Sequence, residues 1–380
     1  MSSIRVEVSP LPIAIDAQWE ALAGRACPNV FMHPAALNAA QASGLADLRV
    51  LLAWDRASDP QTLVGIWALQ ARKLTPFGPA VLDPLPHDYA FGSQPVFEEA
   101  RAAEVMAAFL AALADHPGPK VLRLRNFDGE GPAFAALRDM PAARVQLSVS
   151  ERPVVSREAG MKLSGSTRKK LRQDWNRLGS LGAVDIQNER APAAVLAALE
   201  VFLALELKSW KGDRGTALLS RPSHAAFARG MVADMATRGH ASVALLRLDG
   251  RPIAAQVLLY CGRTAYTWKT AFDTDFAKHS PGTLLVDKVV EQLFAGTEID
   301  AIDSCSAADG FMAQLWSGRR SMVNLLLDLS GRKSLAFPIA AWREHSYQRL
   351  RGLRNRLRTA FSALGKKRAL PRPKQPATQS

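Results

Sequence analysis

Strand-like runs of apolar and polar residues open the chain. Residues 4–9 read as one strand, and RVLLAWDRA and LVGIWALQARK, on either side of Ser58-Asp59-Pro60 within 49–72, read as a hairpin. Five prolines between 76 and 95 break any regular pattern and predict a loop, PLPHDYAFGSQPVF at its heart. FEEARAAEVMAAFLAALAD then carries helical periodicity up to His116-Pro117-Gly118. VLRLRNF, GPAFAALRDM and RVQLSVS follow as strand, short helix and strand.

The second half repeats this order. APAAVLAALEVFLALELKSW and PSHAAFARGMVADMATRG predict helices. SVALLRLDG, PIAAQVLLY and TAYTWKTAF predict three strands, turned at Asp249-Gly250 and Cys261-Gly262-Arg263. Leu284, Leu285, Val289, Val290 and Leu293 recur at helical spacing after Ser280-Pro281-Gly282. EIDAIDS, DGFMAQLWSG and SMVNLLLDLS close the series as strand, short helix and strand. Recurrence of element order, rather than of residues, predicts an internal duplication.

Composition changes this picture little. The 380 residues are 48% hydrophobic and 22% charged, an ordinary globular balance with room for two cores. Cys27, Cys261 and Cys305 have no paired spacing, which argues against a disulfide framework or a zinc site. No apolar run is long enough to span a bilayer, and the first residues, MSSIRVEVSPLPI, lack the pattern of a signal peptide; the expected location is cytoplasmic.

Charge is more informative. The net charge is +13, but from Gly331 onward the chain holds thirteen basic residues and one acid, Glu344. The rest is almost neutral, unlike a nucleic-acid-binding core. Leu350, Leu353, Leu357, Phe361 and Leu364 form an apolar stripe among Arg349, Arg351, Arg354, Arg356 and Arg358. Such a helix docks on protein, pairs with another helix, or lies on an anionic membrane surface, here its inner face. PRPKQPATQS at the end is expected to be disordered. A second basic helix, TRKKLRQDWNRL, gathers Leu171, Trp175 and Leu178 on one face; it reads as a solvated helix or as a phosphate contact.

At the Ser280-Pro281-Gly282 joint, a helix N-terminus offers unpaired N–H groups and partial positive charge to an anion. Gly282 permits close approach, Thr283 adds a hydroxyl, and Lys278 and His279 add charge. The plain alternative is that Ser280 caps the helix, Pro281 occupies its first turn and Gly282 relieves crowding.

These segments resemble the GNAT acyltransferases, and more narrowly the CelD/BcsL-type acetyltransferases with a BioF2-like domain. The likeness runs from Met161 to Leu329 through STRKKLRQDWNRLGSLG, LELKSWKGDRGTALLS, LDGRPIAAQVLLY, WKTAFDTDFAKHSPGTLL and IDSCSAADGFMAQLWSGRRSM. It is fainter in the first half. Fem-type peptidyltransferases, distant relatives, also fuse two GNAT-like halves. The resemblance implies an α/β (α+β) fold of two tandem GNAT-like lobes, each a mixed, mostly antiparallel sheet flanked by helices. The expected division is 1–160, 161–335 as the acyltransferase lobe, 336–366 as a basic amphipathic segment and 367–380 as tail.

It also implies an acyl-CoA donor, acetyl-CoA foremost and no metal, with its pyrophosphate on Ser280, Pro281, Gly282, Thr283 and Leu284. Many relatives carry a fuller Arg/Gln-x-x-Gly-x-Gly/Ala loop, whereas only Gly282 is present here. The expected acceptor is a sugar, amino sugar or lipid-linked precursor of envelope or exopolysaccharide. The alternatives are an aminoacyl-tRNA donor, as in Fem-type proteins, and a non-catalytic binding module.

No Gly-x-Ser-x-Gly, Walker or His-Glu-x-x-His motif occurs, so direct attack by the acceptor is more economical than a covalent intermediate. Strict alternation along 264–272 puts Tyr266, Trp268 and Thr270 on one face and Thr267, Lys269 and Ala271 on the other. Lys269 then binds an anionic substrate with Asp273 as base, or is simply paired with Asp273. Asp303 and Glu206 are the other candidate bases. Trp210 and Lys211, entering Gly212-Asp213-Arg214-Gly215, suit either an acceptor-binding lip or a solvated helix end. Trp316 and Arg319 match a Trp-x-x-Arg-Arg run of the family, with core packing as the alternative for Trp316.

Overall fold

A computed structural model describes residues 3–350 apart from 59, 60, 141, 162, 309 and 332–334. The first half runs β1 (Ile4–Pro10), α1 (Asp16–Ala23), α2 (Pro34–Ala42), β2 (Arg49–Asp55), β3 (Thr62–Lys73), β4 (Ala80–Asp83), β5 (Val96–Phe97), α3 (Ala102–Asp115), β6 (Val121–Asp128), α4 (Pro132–Arg138) and β7 (Arg144–Ser156). The second runs α5 (Gly165–Gly179), β8 (Val184–Glu189), α6 (Pro192–Lys208), α7 (Trp210–Asp213), α8 (Pro222–Thr237), β9 (Ala241–Leu248), β10 (Arg251–Cys261), β11 (Thr264–Phe272), α9 (Pro281–Ala295), β12 (Ala301–Asp303), α10 (Met312–Leu315) and β13 (Gly318–Asp328). Residues 336–350 are helical and follow β13.

Local chemistry accounts for the joints. Asp249 and Gly250 both take positive φ, 50° and 76°, as a tight turn between β9 and β10 requires. Proline occupies the first turn of α6, α8 and α9, where no intrahelical N–H partner is lost. Periodicity did not announce α1, α2, β8 or β4, the last lying inside the stretch expected to be loop. α1 and α2 are short, and β8 is half-exposed at the sheet's edge, with too few apolar residues to mark it.

The two halves share one mixed sheet in the order β1-β2-β3-β4-β6-β13-β7-β12-β11-β10-β9-β8. Pairing is antiparallel except between β4 and β6 and between β11 and β12. The centre is an exchange: β13, from the second half, lies between β6 and β7, and β7 in turn pairs with β12. Each half therefore completes the other's sheet.

Two helical layers cover the sheet. On one face, α9 packs Leu284, Leu285, Val289 and Val290 against Ile253, Ala254 and Ile302. On the other, the buried residues of α2, α6 and α8 share a continuous core with Tyr266 and Trp268. The helix at 336–350 buries Ala340 and Ala341 against Val81, Val121 and Leu326. The rest of the stripe, Leu353 to Leu364, and the tail at 367–380 lie outside the described residues.

Candidate functional site

β11 and β12 run side by side for three residues only, Thr264–Tyr266 against Ala301–Asp303. β11 then continues to Phe272 while the chain turns away at Ser304, so the two backbones part. The first turn of α9 borders this gap: a Cβ on Gly282 would stand 3.2 Å from Phe272 Cδ1 and 3.7 Å from Thr270 Cγ2. Gly282 thus lets the helix pack close on the strand, as the plain reading has it.

The joint itself is sparing in donors. Ser280 sits in the left-handed region at φ 52° and makes no side-chain cap, contrary to the expected capping role. Its carbonyl instead accepts from Thr283 N–H at 2.9 Å and Leu284 N–H at 3.1 Å. Pro281 has no N–H. Gly282 N–H alone has no partner among the described residues, so the expected cradle of Gly282 to Leu284 reduces to one free amide plus the Thr283 hydroxyl.

Lys269 lies where β11 passes the gap, and a β-bulge decides its direction. Opposite Val257 and Leu259 of β10, two residues apart, β11 sets Lys269 and Tyr266, three apart. The extra residue turns Lys269 onto Tyr266's face, which corrects the strict alternation expected from sequence. There Lys269 Nζ stands 3.4 Å from Glu206 Oε1 of α6 and 4.7 Å from the centre of the Tyr89 ring. Burial pushes the Lys269 ammonium below its usual range, although Glu206 opposes the shift.

Glu206 is fully buried and well satisfied. It accepts from Lys211 Nζ at 3.0 Å and from Leu218 N–H at 2.8 Å. Burial disfavours its charge, but Lys269, Lys211 and the Leu218 amide together hold its carboxyl below the usual range. Lys211 gains this reach from the sharp corner at Gly212, where any Cβ would meet the Leu207 carbonyl oxygen at 1.7 Å. Trp210 stays outside, half-exposed under the Arg214 guanidinium.

The first half supplies what sequence reasoning missed. Tyr89, from the proline-rich loop, stacks on Phe227, accepts Trp268 Nε1–H at its carbonyl (3.0 Å) and places its hydroxyl 2.5 Å from His224 Nδ1 of α8. Burial, with Glu206 and Asp88 adding, pushes the phenol up to about 12. Burial, Arg221 and Lys269 together push the His224 imidazole below its usual value, so it is neutral near pH 7. No sequence signal pairs residues 89 and 224; an aromatic inside a proline-rich loop was the only hint.

The remaining expected residues are placed elsewhere. Asp273 caps the turn at 274–279, accepting from Asp275 N–H, and it pairs with Arg251 at 2.6 Å and Lys208 at 4.0 Å. Burial opposes its charge, yet these partners hold its carboxyl low, and it is not Lys269's partner. Asp303, buried, lies between Arg320 (3.2 Å) and Arg152 (3.5 Å) and accepts from Cys305 N–H at 2.8 Å. Arg152 also donates to the Phe91 carbonyl, so Asp303 clamps the halves together. Burial, with Asp303 adding, drives the Cys305 thiol well above its usual range, where it is a poor nucleophile. Trp316 is core, and Arg319 donates to the carbonyls of Ala313, Trp316 and Gly318, stapling the turn before β13.

Among the described residues one group of His, Cys, Asp and Glu side chains stands close enough to hold a metal ion: Glu20, His33 and His240. His33 Nδ1 accepts from Ala35 N–H at 3.0 Å as the cap of α2, which leaves its proton on Nε2. Nε2–H donates to His240 Nδ1 at 2.8 Å, and His240 Nε2 faces Glu20 at 3.4 Å. The cap forbids a lone pair on His33 Nε2, so this is a proton-bonded chain between the halves rather than a cation site.

Comparison with known proteins bears on the fold. Residues 165–311 match the family model described as Acetyltransferase (GNAT) domain. No curated protein matches the chain. Among solved structures, FemX is 10% identical, with 89% of this chain and 100% of that one covered and a TM-score of 0.59. The C-terminal domain (DUF2156) of a putative lysylphosphatidylglycerol synthetase from Agrobacterium fabrum is 13% identical over 87% and 95%, with a TM-score of 0.52. A conserved protein of unknown function from Bacteroides thetaiotaomicron is 11% identical over 84% and 100%, with a TM-score of 0.53. At these identities the likeness is one of fold.

Proposed function

We propose that this chain is a double-GNAT protein whose second half, where residues 165–311 match the acetyltransferase domain model, transfers an acyl group from a CoA thioester to an amine or hydroxyl at the junction of the halves. One observation carries the reading: the β11–β12 gap, bounded by the free Gly282 amide, opens beside Lys269. An extended thioester arm lying in the gap pairs with the exposed edge of β11 as an added strand would. Its diphosphate lies at the start of α9.

The acceptor attacks the carbonyl carbon directly, the new bond to nitrogen or oxygen forms, and the carbon–sulfur bond breaks with the thiolate leaving. The acceptor's proton passes to His224, neutral and oriented by Tyr89. Asp273 and Glu206, their carboxyls held low by their ion pairs, are poorer proton acceptors, and Asp303 is engaged by Arg320 and Arg152. Lys269 sets positive charge beside the developing oxyanion. Trp210 forms the lip of the acceptor entrance, while Lys211 fixes Glu206.

The expected acceptor remains a sugar or amino sugar, soluble or lipid-linked. The helix at 336–350 supports a peripheral place at an anionic membrane. Its Ala340 and Ala341 face the body, while its Ile339, Trp342 and Leu350 are 50%, 73% and 67% exposed, and Leu335, just before it, is 81% exposed. No described helix is long and apolar enough to cross a membrane.

A second reading, an aminoacyl-tRNA donor, is favoured by the sparse amides at the α9 joint. Calorimetric titration with acetyl-CoA, longer acyl-CoAs and charged tRNA decides between them. The proposal expects an acyl-CoA to bind and Thr283→Trp to abolish that binding in a folded protein. Binding of charged tRNA alone overturns the CoA donor.

A further inference from the structure

A cavity of about 810 Å³ opens on the Lys269 face of the sheet. Its floor is the exchanged centre of the fold, β6, β13 and β7. One wall is the helix at 336–350, and Ala307, just beyond β12, lies at its rim. Its size is that of a small-molecule site.

The charge in it is unbalanced. Arg123 and Arg125 alternate on β6, project from one face and both reach Asp83, at 2.8 Å and 2.7 Å. Asp83 is completely buried, and Arg72 is a third cation 3.8 Å away. Arg123 also meets Glu344 at 3.0 Å, which Arg343 meets at 2.8 Å. Three guanidiniums therefore line the cavity, those of Arg123, Arg125 and Arg343, against one lining carboxylate, Glu344, with the buried Asp83 behind them; Arg72 and Asp88, 3.4 Å apart, line a separate pocket. Excess guanidiniums in a half-enclosed space favour an anion.

The opposite side is uncharged and polar. Ser148 Oγ accepts from Asn324 Nδ2 at 2.8 Å, and Ser150 stands exposed beside them. We propose that this cavity binds a phosphorylated, hydroxyl-rich ligand. The arginines take its phosphoryl oxygens, and Ser150 and Asn324 take its hydroxyls.

That the ligand is the acceptor rests on the function proposed above. Four strand spacings separate β6 from β11, roughly 20 Å across the face. A phosphate at Arg125 and a reacting group at Lys269 are too far apart for a monosaccharide phosphate. The acceptor class is then a diphosphate or an oligosaccharide phosphate, on a soluble carrier or on a lipid.

The test is calorimetry of the full chain with inorganic pyrophosphate, on wild type, Arg125→Gln and Ser150→Trp, each checked for cooperative melting. Ser150→Trp fills the cavity from an exposed strand position and leaves every charge in place. At least tenfold weaker binding in both folded variants is expected. Unchanged binding in both would place the anion on the basic C-terminal residues and overturn the proposal, as would no binding by folded wild type. Competition by glucose 1-phosphate assigns a soluble source, and competition by phosphatidylglycerol vesicles a lipid one; either supports the site. Acetyl-CoA binding, followed alongside, is unchanged in both variants, so failure here is distinct from failure of the donor assignment.

Discussion

Lys269 Nζ and Glu206 Oε1 are 3.4 Å apart, joined across the layer between β11 and α6 by a bulge that turns Lys269 toward the helix. Glu206 is the hub, since it also holds Lys211 and the Leu218 amide. Truncating it strands two lysines in a buried site. Glu206→Ala should cost about 3–5 kcal/mol of stability, the usual penalty for breaking a buried pair from one side. Lys269→Met leaves Glu206 with Lys211 and the amide, so it should melt near wild type while losing most transfer activity. Urea unfolding of the two variants, read with their turnover, separates the roles.

The Tyr89–His224 contact predicts a pH profile. His224 accepts a proton only when neutral, and its pKa lies below the usual 6.5. Turnover should be flat near neutrality and fall as pH drops through the depressed pKa. His224→Phe should remove about 10²–10⁴ in kcat. Tyr89→Phe keeps the ring over Lys269 and should lose less. A wild-type rate that keeps rising above pH 8 would instead point to a group with a higher pKa.

Two buried histidines predict acid sensitivity. Burial, with Arg72 nearby, pushes His87 down to about 3; burial, His240 and Arg238 push His33 well below its usual value. Both folded pKa values lie under the unfolded value of about 6.5. The unfolded chain therefore binds protons first, and stability present above pH 6.5 is lost as pH falls toward the folded values. Each histidine adds up to about 1.4 kcal/mol per pH unit in that window. Thermal melts of wild type and His87→Leu from pH 7 to 4 should converge as pH falls, wild type losing more.

The exposed face of the C-terminal helix gives a membrane prediction. Sedimentation with vesicles rich in phosphatidylglycerol should retain the protein, and Trp342→Ser should weaken retention severalfold, with high salt weakening both. Equal retention of the variant would assign the contact to charge alone.

Much of the fold was legible because it rests on local signals. Asp249-Gly250, the proline-started helices and the apolar stripe of α9 each state their conformation within a few residues. The exchange of β13 and β7 was not, because strand order depends on pairing between residues far apart in the chain, such as Leu325 with Gln146. The site was half legible. Glu206, Lys269 and Lys211 stood out as charges beside apolar runs, but Lys269 was matched with its near neighbour Asp273 because sequence shows proximity along the chain only. One bulge redirected it to Glu206. Tyr89 and His224 meet only through the packing of one half on the other, and no local pattern encodes that.

A crystal structure with a non-hydrolysable acetyl-CoA analogue is the most direct measurement. The account predicts the thioester carbonyl in the gap between β11 and β12, within reach of Lys269, with the diphosphate at Gly282 and Thr283. An analogue bound elsewhere, or excluded from crystals of well-folded protein, would contradict it.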